Sequence, residues 1–123
     1  MSHLFKLMSN SGYIISFNQV RQTLQDLGKF SDSDLSVFTS HLKASALPAD
    51  FLLLREGKVC QSFFFVERGS FRQYQINGAG EEVTQNLYVE NDWVLDYKSL
   101  TSQTPSTCTI EAKEESEVLE LGL

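Results

Sequence analysis

At 123 residues, 41% hydrophobic and with nine Phe, the chain is long enough to bury one core without disulfides or metal. A net charge of −6, ten scattered basic residues and an acidic run over 111–120 exclude the clustered cations that hold a nucleic-acid backbone. Cys60 and Cys108 are too few for a disulfide scaffold or a thiolate metal site, and they fit a reducing, cytoplasmic setting.

Residues 1–15 lack a signal-peptide core followed by a small-residue cleavage site, and no run approaches the ~20 apolar residues of a membrane span. Over 18–30, Val20, Leu24 and Leu27 recur at helical spacing and Gly28 marks a stop. Ser31 then caps a second helix, with Asp34 placed as its reciprocal capping carboxylate. Leu35, Phe38 and Leu42 share one face of that helix, the face expected to cover a barrel. Pro48 marks the exit into strands.

The stretch 51–76 holds two apolar runs, at Leu52 to Leu54 and Phe63 to Val66, and a third that alternates from Phe71 to Ile76. Gly57 and Gly69 stand in the turns between them, where reversal calls for a positive φ. Short aromatic-rich runs bounded by glycine turns read as buried strands. Asn77-Gly78-Ala79-Gly80 is a hairpin signal, with Asn-Gly supplying the positive φ. Val83, Leu87 and Val89 share one face of the returning strand by period-2 counting, and 107–112 and 117–121 supply two more runs. The acidic run over 111–120 reads as the solvated face of the last strand. Six or more short strands at about ten-residue spacing indicate a mainly β, antiparallel sandwich or jelly roll behind N-terminal helices.

The order of a helix pair, LLLREGKVCQSFFFVERGSFRQY, NGAGEEVTQNL, NDWVLDYKSL and PSTCTIEAKEESEVLEL resembles the effector domain of the Crp/Fnr transcription regulators. The resemblance covers residues 34–121 and rests on the Arg55-Glu56-Gly57 turn, the Val66-Glu67-Arg68-Gly69 turn and Ile110-Glu111-Ala112. It implies a double-stranded β-helix, or jelly roll, of the cyclic nucleotide-binding type. It divides the chain into a helical segment over 1–43 packing on the barrel, the jelly roll over 44–121, and a stump at 122–123.

In that family a Gly-Glu pair opens a short helix whose free amides take the cyclic phosphate. An Arg about ten residues later neutralises it and is followed by Ser or Thr, while the Glu accepts from the ribose. The matching segment here is 91–112. Trp93 and Val94 match the family's aromatic or aliphatic pair. Leu95 stands in place of the glycine, where its side chain crowds close backbone approach. Asp96 stands at the glutamate, one methylene shorter. Ser106 (or Pro105) stands at the arginine, and Thr107 keeps the hydroxyl. With Asp92, Asp96 and Glu111 against Lys98 alone, the segment sums to −2. A buried phosphate without its counter-ion is strongly disfavoured. No cofactor is therefore expected, cyclic nucleotide is disfavoured, and the effector stays open.

Arg72 has two readings, a replacement anion-binding residue or an ion pair with Glu82 across the hairpin, and the second is preferred. Tyr88, Trp93 and Tyr97 are either a stacking platform or core. Asp96 and Lys98 either pair locally or are solvated. Cys60 and Cys108 read as core, having no flanking cation to lower a thiol pKa. His3 and His41 lie outside the strands, which excludes the strand-borne His-x-His of metal-binding cupins; the N-terminal cysteines of an iron–sulfur sensor are absent. Glu81-Glu82 and Glu114-Glu115 are adjacent pairs that point to opposite faces, so no enzyme is indicated. The resemblance further implies homodimerisation through a C-terminal helix and DNA binding through a C-terminal domain, both beyond residue 123, so a truncated regulator is the expectation. A stand-alone protein-interaction domain is the alternative.

Overall fold

The computed structural model describes residues 7–8, 14–15, 18–28 and 31–122. Two short strands, β1 (Leu7–Met8) and β2 (Ile14–Ile15), pair antiparallel ahead of α1 (Asn18–Leu27) and α2 (Asp32–Ser40). α1 ends at Leu27, just before the stop expected at Gly28; Phe30 lies outside the described residues. Ser31 caps α2 as expected. Its Oγ accepts the Asp34 N–H at 3.0 Å, and Asp34 Oδ2 accepts the Ser31 N–H at 3.2 Å.

Eight further strands follow: β3 (Lys43–Leu47), β4 (Leu52–Leu54), β5 (Ser62–Arg68), β6 (Phe71–Ile76), β7 (Glu82–Tyr88), β8 (Trp93–Val94), β9 (Thr109–Ala112) and β10 (Ser116–Gly122). They form two antiparallel four-stranded sheets, ordered β3-β10-β5-β8 and β4-β9-β6-β7, in a jelly roll. The strands of the jelly roll begin at β3, ahead of the expected exit at Pro48; the small residues of KASAL carry no strong strand pattern by themselves.

One core lies between the sheets, with Leu54, Val66, Phe71, Tyr88, Val94, Cys108, Ile110 and Val118 buried together. A second joins the outer face of β3-β10-β5-β8 to the helices: Phe65, Leu119 and Leu42 are buried, with Leu24, Phe38 and Trp93 packed against them. Of the expected stripe, Leu35 is buried on α2 and Phe38 packs on this second core, whereas Leu42 joins the core from beyond the helix, which closes at His41. The Phe-rich run is divided, for Phe64 packs inward while Phe65 faces the helices. Double coverage also explains why four consecutive residues of β10, Ser116 to Leu119, are buried.

The turn glycines hold positive φ, +89° at Gly57 and +108° at Gly69, and a Cβ on Gly69 would lie 2.8 Å from the Ser116 Cα. Three expectations are corrected. In the β6–β7 hairpin Gly80 carries the positive φ (+80°) instead of Gly78, because Asn77 Oδ1 accepts the Ala79 and Glu81 N–H groups and folds a longer loop. Val83 and Leu87 do not share a face. The register shifts between Gln73 and Tyr74, leaving Gln85 without a partner, so Leu87 pairs with Arg72 while Val83 pairs with Gln75. The acidic run is not all solvated either: Glu117 is 3% exposed and held by Arg68 at 2.7 Å.

Candidate functional site

The segment after β8 folds as DYKS dictates. Asp96 is the N-cap of α3 (Tyr97–Ser102), and its Oδ1 accepts the Ser99 N–H at 3.2 Å. Ser99 is buried and ties three segments together, accepting the Cys60 N–H at 2.8 Å and donating to the Thr104 carbonyl at 2.6 Å. Gln103 closes the helix in the left-handed region at φ 54°.

The other carboxylate oxygen of Asp96 accepts the Ser106 hydroxyl at 2.6 Å. That hydroxyl is buried and also accepts the Cys108 N–H at 3.1 Å. Both backbone polar groups of Ser106 are engaged as well: its N–H donates to Lys58 O and its carbonyl accepts from Gly57 N–H, each at 2.8 Å. The Cys108 thiol lies 3.3 Å from Ser106 Oγ and 3.7 Å from Asp96 Oδ2. Burial pushes that thiol above its ordinary pKa, and the Asp96 charge pushes the same way against the lowering effect of the Ser106 hydrogen bond. Both cysteines are buried and free. The structure therefore brings two of the sequence-selected positions, ten residues apart, into one hydrogen bond. It presents a carboxylate at the start of α3 that is ion-paired with no cation among the described residues.

The remaining positions are spread out. Val94 is fully buried in the inter-sheet core, and Leu95 packs against that core and lines, with Val94, a cavity of about 330 Å³. Ser106 and Thr107 line a different recess of about 390 Å³, where Thr107 Oγ1 accepts from Gln75 Nε2 at 2.8 Å. Arg72 lies on the opposite face of β6. Its neighbours Phe71 and Gln73 pair with inward Ala112 and Ile110, whereas Arg72 pairs with Glu111. Its guanidinium reaches Glu82 at 2.6 Å and Glu111 at 2.8 Å, and stacks 4.2 Å from the Tyr74 ring. The hydrogen bonds it donates to Glu82 and Glu111 raise its pKa above the ordinary value. The cross-hairpin ion pair with Glu82 is thus present, extended to a second carboxylate. Lys98 is exposed and makes no ion pair with Asp96.

The three aromatics do not form one platform. Tyr88 is buried in the core with its hydroxyl donating to Gln73 Oε1 at 2.7 Å, Trp93 packs at 5.0 Å from Phe65 beneath the helices, and Tyr97 is 73% exposed. Two features escaped the sequence reading. The capping of α3 was signalled by Asp96 and Ser99 three apart. Glu67 had no local signal: burial, with the nearby Glu117 charge, raises its carboxyl to about 7, and its Oε1 is buried without a hydrogen-bond partner among the described residues. Among the described residues no three His, Cys, Asp or Glu gather to hold a metal, and no helix is long and apolar enough to cross a membrane.

This jelly roll, with its short helix between β8 and β9, defines the class as a domain of the cyclic nucleotide-binding fold. A family model described as cyclic nucleotide-binding domain matches residues 45–123, more than half of the chain, and the chain belongs to that family. Its fold is similar to the Thermus thermophilus catabolite activator protein (TM-score 0.69, 19% identity, 78% of this chain and 45% of that one). It is also similar to the sensor domain of the transcriptional regulator DNR from Pseudomonas aeruginosa (0.71, 18%, 84% and 71%). A third similar structure is the regulatory subunit of a cAMP-independent protein kinase A from Trypanosoma brucei (0.74, 13%, 86% and 39%). That structure is a triple mutant, with threonine-to-arginine among its changes, bound to cAMP. At these identities the likeness carries the fold, and the chain spans less than half the length of the first and third. A search of curated protein sequences returns no match.

Proposed function

We infer that this chain is the non-enzymatic sensor domain of a cytoplasmic, Crp/Fnr-like transcription regulator whose site does not take cyclic nucleotide in its family's manner. The observation that carries this reading is the Asp96–Ser106 hydrogen bond. Where the family resemblance implies an arginine and a phosphate, the chain has a hydroxyl bonded to a carboxylate that already satisfies an α3 amide. A cyclic phosphate placed there meets like charge and no counter-ion, and a like-charge contact in a poorly solvated site costs several kcal/mol. The trypanosome structure supports the same logic, since a cAMP-independent relative with arginine introduced is bound to cAMP. In a regulator the domain works by coupling a ligand to a dimer helix and a DNA-binding domain, which would be carried by other parts of the protein.

Calorimetric titration of the chain with cyclic AMP and cyclic GMP tests the reading. No saturable heat up to millimolar nucleotide is expected, and sub-micromolar binding of either defeats it. The exposed Ile76 and Leu87, on one face of the β6–β7 hairpin, favour a second reading, a stand-alone domain that binds another protein. A reading frame that continues into a helix-turn-helix rules that second reading out.

A further inference from the structure

We propose that the cavity beside Leu95 binds a medium-chain monocarboxylate, tail inward and headgroup between Arg55 and Lys58. This names a ligand class for the domain and rests on the reading that its cyclic nucleotide site has diverged.

The cavity measures about 330 Å³, within the ~300–1,000 Å³ range of small-molecule sites. It lies at the seam between the sheets, where Leu52 and Leu53 of edge strand β4 face Phe64 of β5. All three are only partly buried, and Leu53 and Phe64 pack on the core, so a wall of apolar side chains stands open. The same three also line an adjoining cavity of about 230 Å³ that runs on to Leu47 and Phe51. Two cavities sharing one apolar wall make an elongated groove, the shape of an alkyl chain rather than of a flat base. Leu95 lines the first of the two cavities beside Val94. The residue that spoils the family's phosphate approach thereby contributes apolar wall to this groove.

The charged residues of the lining are Arg55, Lys58 and Glu120. Arg55 and Lys58, exposed in the β4–β5 turn, line the cavity, and neither is ion-paired with any described residue. Their positions are fixed by the backbone bonds of Gly57 and Lys58 to Ser106. Glu120 also borders both cavities, but its carboxylate is engaged by the Ser62 hydroxyl at 2.5 Å. Two unpaired cations against one hydrogen-bonded carboxylate leave this rim net positive on a chain of charge −6. Apolar wall and cationic mouth together select an amphipathic anion over a neutral lipid or an amine.

The test is calorimetric titration of the whole chain with hexanoate, octanoate, decanoate, decanol and decylamine, with cyclic AMP in parallel. Affinity should rise about fourfold per added methylene, the increment for burying one CH₂. Decanoate should bind more tightly than decanol. Arg55→Glu/Lys58→Glu should weaken decanoate about tenfold and leave decanol unchanged, as expected for two reversed surface charges. Glu120→Gln should hold or strengthen decanoate binding. The proposal is overturned if decanol or decylamine binds as well as decanoate on the native chain, or if no carboxylate binds below millimolar concentration. Failure of the carboxylates with no response to cyclic AMP sinks this inference alone. Tight cyclic AMP binding instead sinks the diverged-site reading on which it rests.

Discussion

Replacing Asp96 by Ala removes two interactions that differ in kind. The cap on α3 through Ser99 N–H is worth about 1 kcal/mol. The 2.6 Å hydrogen bond from buried Ser106 to a charged acceptor is worth about 1.5–3 kcal/mol. Asp96→Ala should therefore cost about 2–4 kcal/mol and Ser106→Ala about 1.5–3 kcal/mol. Because both remove the same bond, the double variant should fall short of their sum by about 1–3 kcal/mol. Asp96→Asn separates cap from charge, since Asn caps as well as Asp; it should retain the α3 cap and lose part of the Ser106 term. Urea denaturation of the native chain and the variants at pH 7, followed by far-UV circular dichroism, gives each free energy. Additivity within about 0.5 kcal/mol would refute the reasoning. It would mean that Asp96 is not committed to Ser106 and is free to meet a ligand.

Glu67 supplies a pH dependence with a defined sign. Its folded pKa of about 7 lies above its ordinary 4.5, chiefly through burial, so the folded state holds the proton more tightly. The stability from that proton is complete below pH 4.5 and is lost as pH rises through 7. Such a shift corresponds to roughly 3 kcal/mol, which screening at a partly exposed site lowers to about 1–2 kcal/mol. Glu67→Gln should gain that amount over the native chain between pH 5 and 8 in thermal melts; a constant difference across the range counts against it. Gly57→Ala and Gly69→Ala make a matched pair. Both impose strain at positive φ, about 1–2 kcal/mol, but only at Gly69 does the new Cβ meet Ser116. Gly69→Ala should lower Tm well beyond Gly57→Ala, and equal losses would show that Ser116 yields freely.

The parts of the fold that were readable in the sequence are those set by local backbone chemistry. The Ser31–Asp34 box, the positive φ at Gly57 and Gly69, and the helical pair of Leu35 and Phe38 each need only neighbours a few residues away. The misreadings came where a distant partner or an inserted residue decides. Period-2 counting put Val83 with Leu87 because nothing in EVTQNLY marks Gln85 as the unpaired residue. Glu117 looked solvated because its burial depends on helices and sheets packing on both sides of β10. At the candidate site the spacing of ten between Asp96 and Ser106 came from the family resemblance, and the structure places the two in contact. The direction of Arg72 was undecidable from alternation alone. The pairing of Phe71 with Ala112 turns Arg72 outward, toward Glu82 and Glu111.

Leu95 and Ser106 are proposed to be what keeps cyclic nucleotide out. Titrating cyclic AMP into the native chain and into Leu95→Gly/Ser106→Arg side by side tests it most directly. The account predicts no binding by the native chain and measurable binding by the variant, which regains backbone access to α3 and a guanidinium opposite Asp96. Sub-micromolar binding by the native chain, unchanged in the variant, would contradict it.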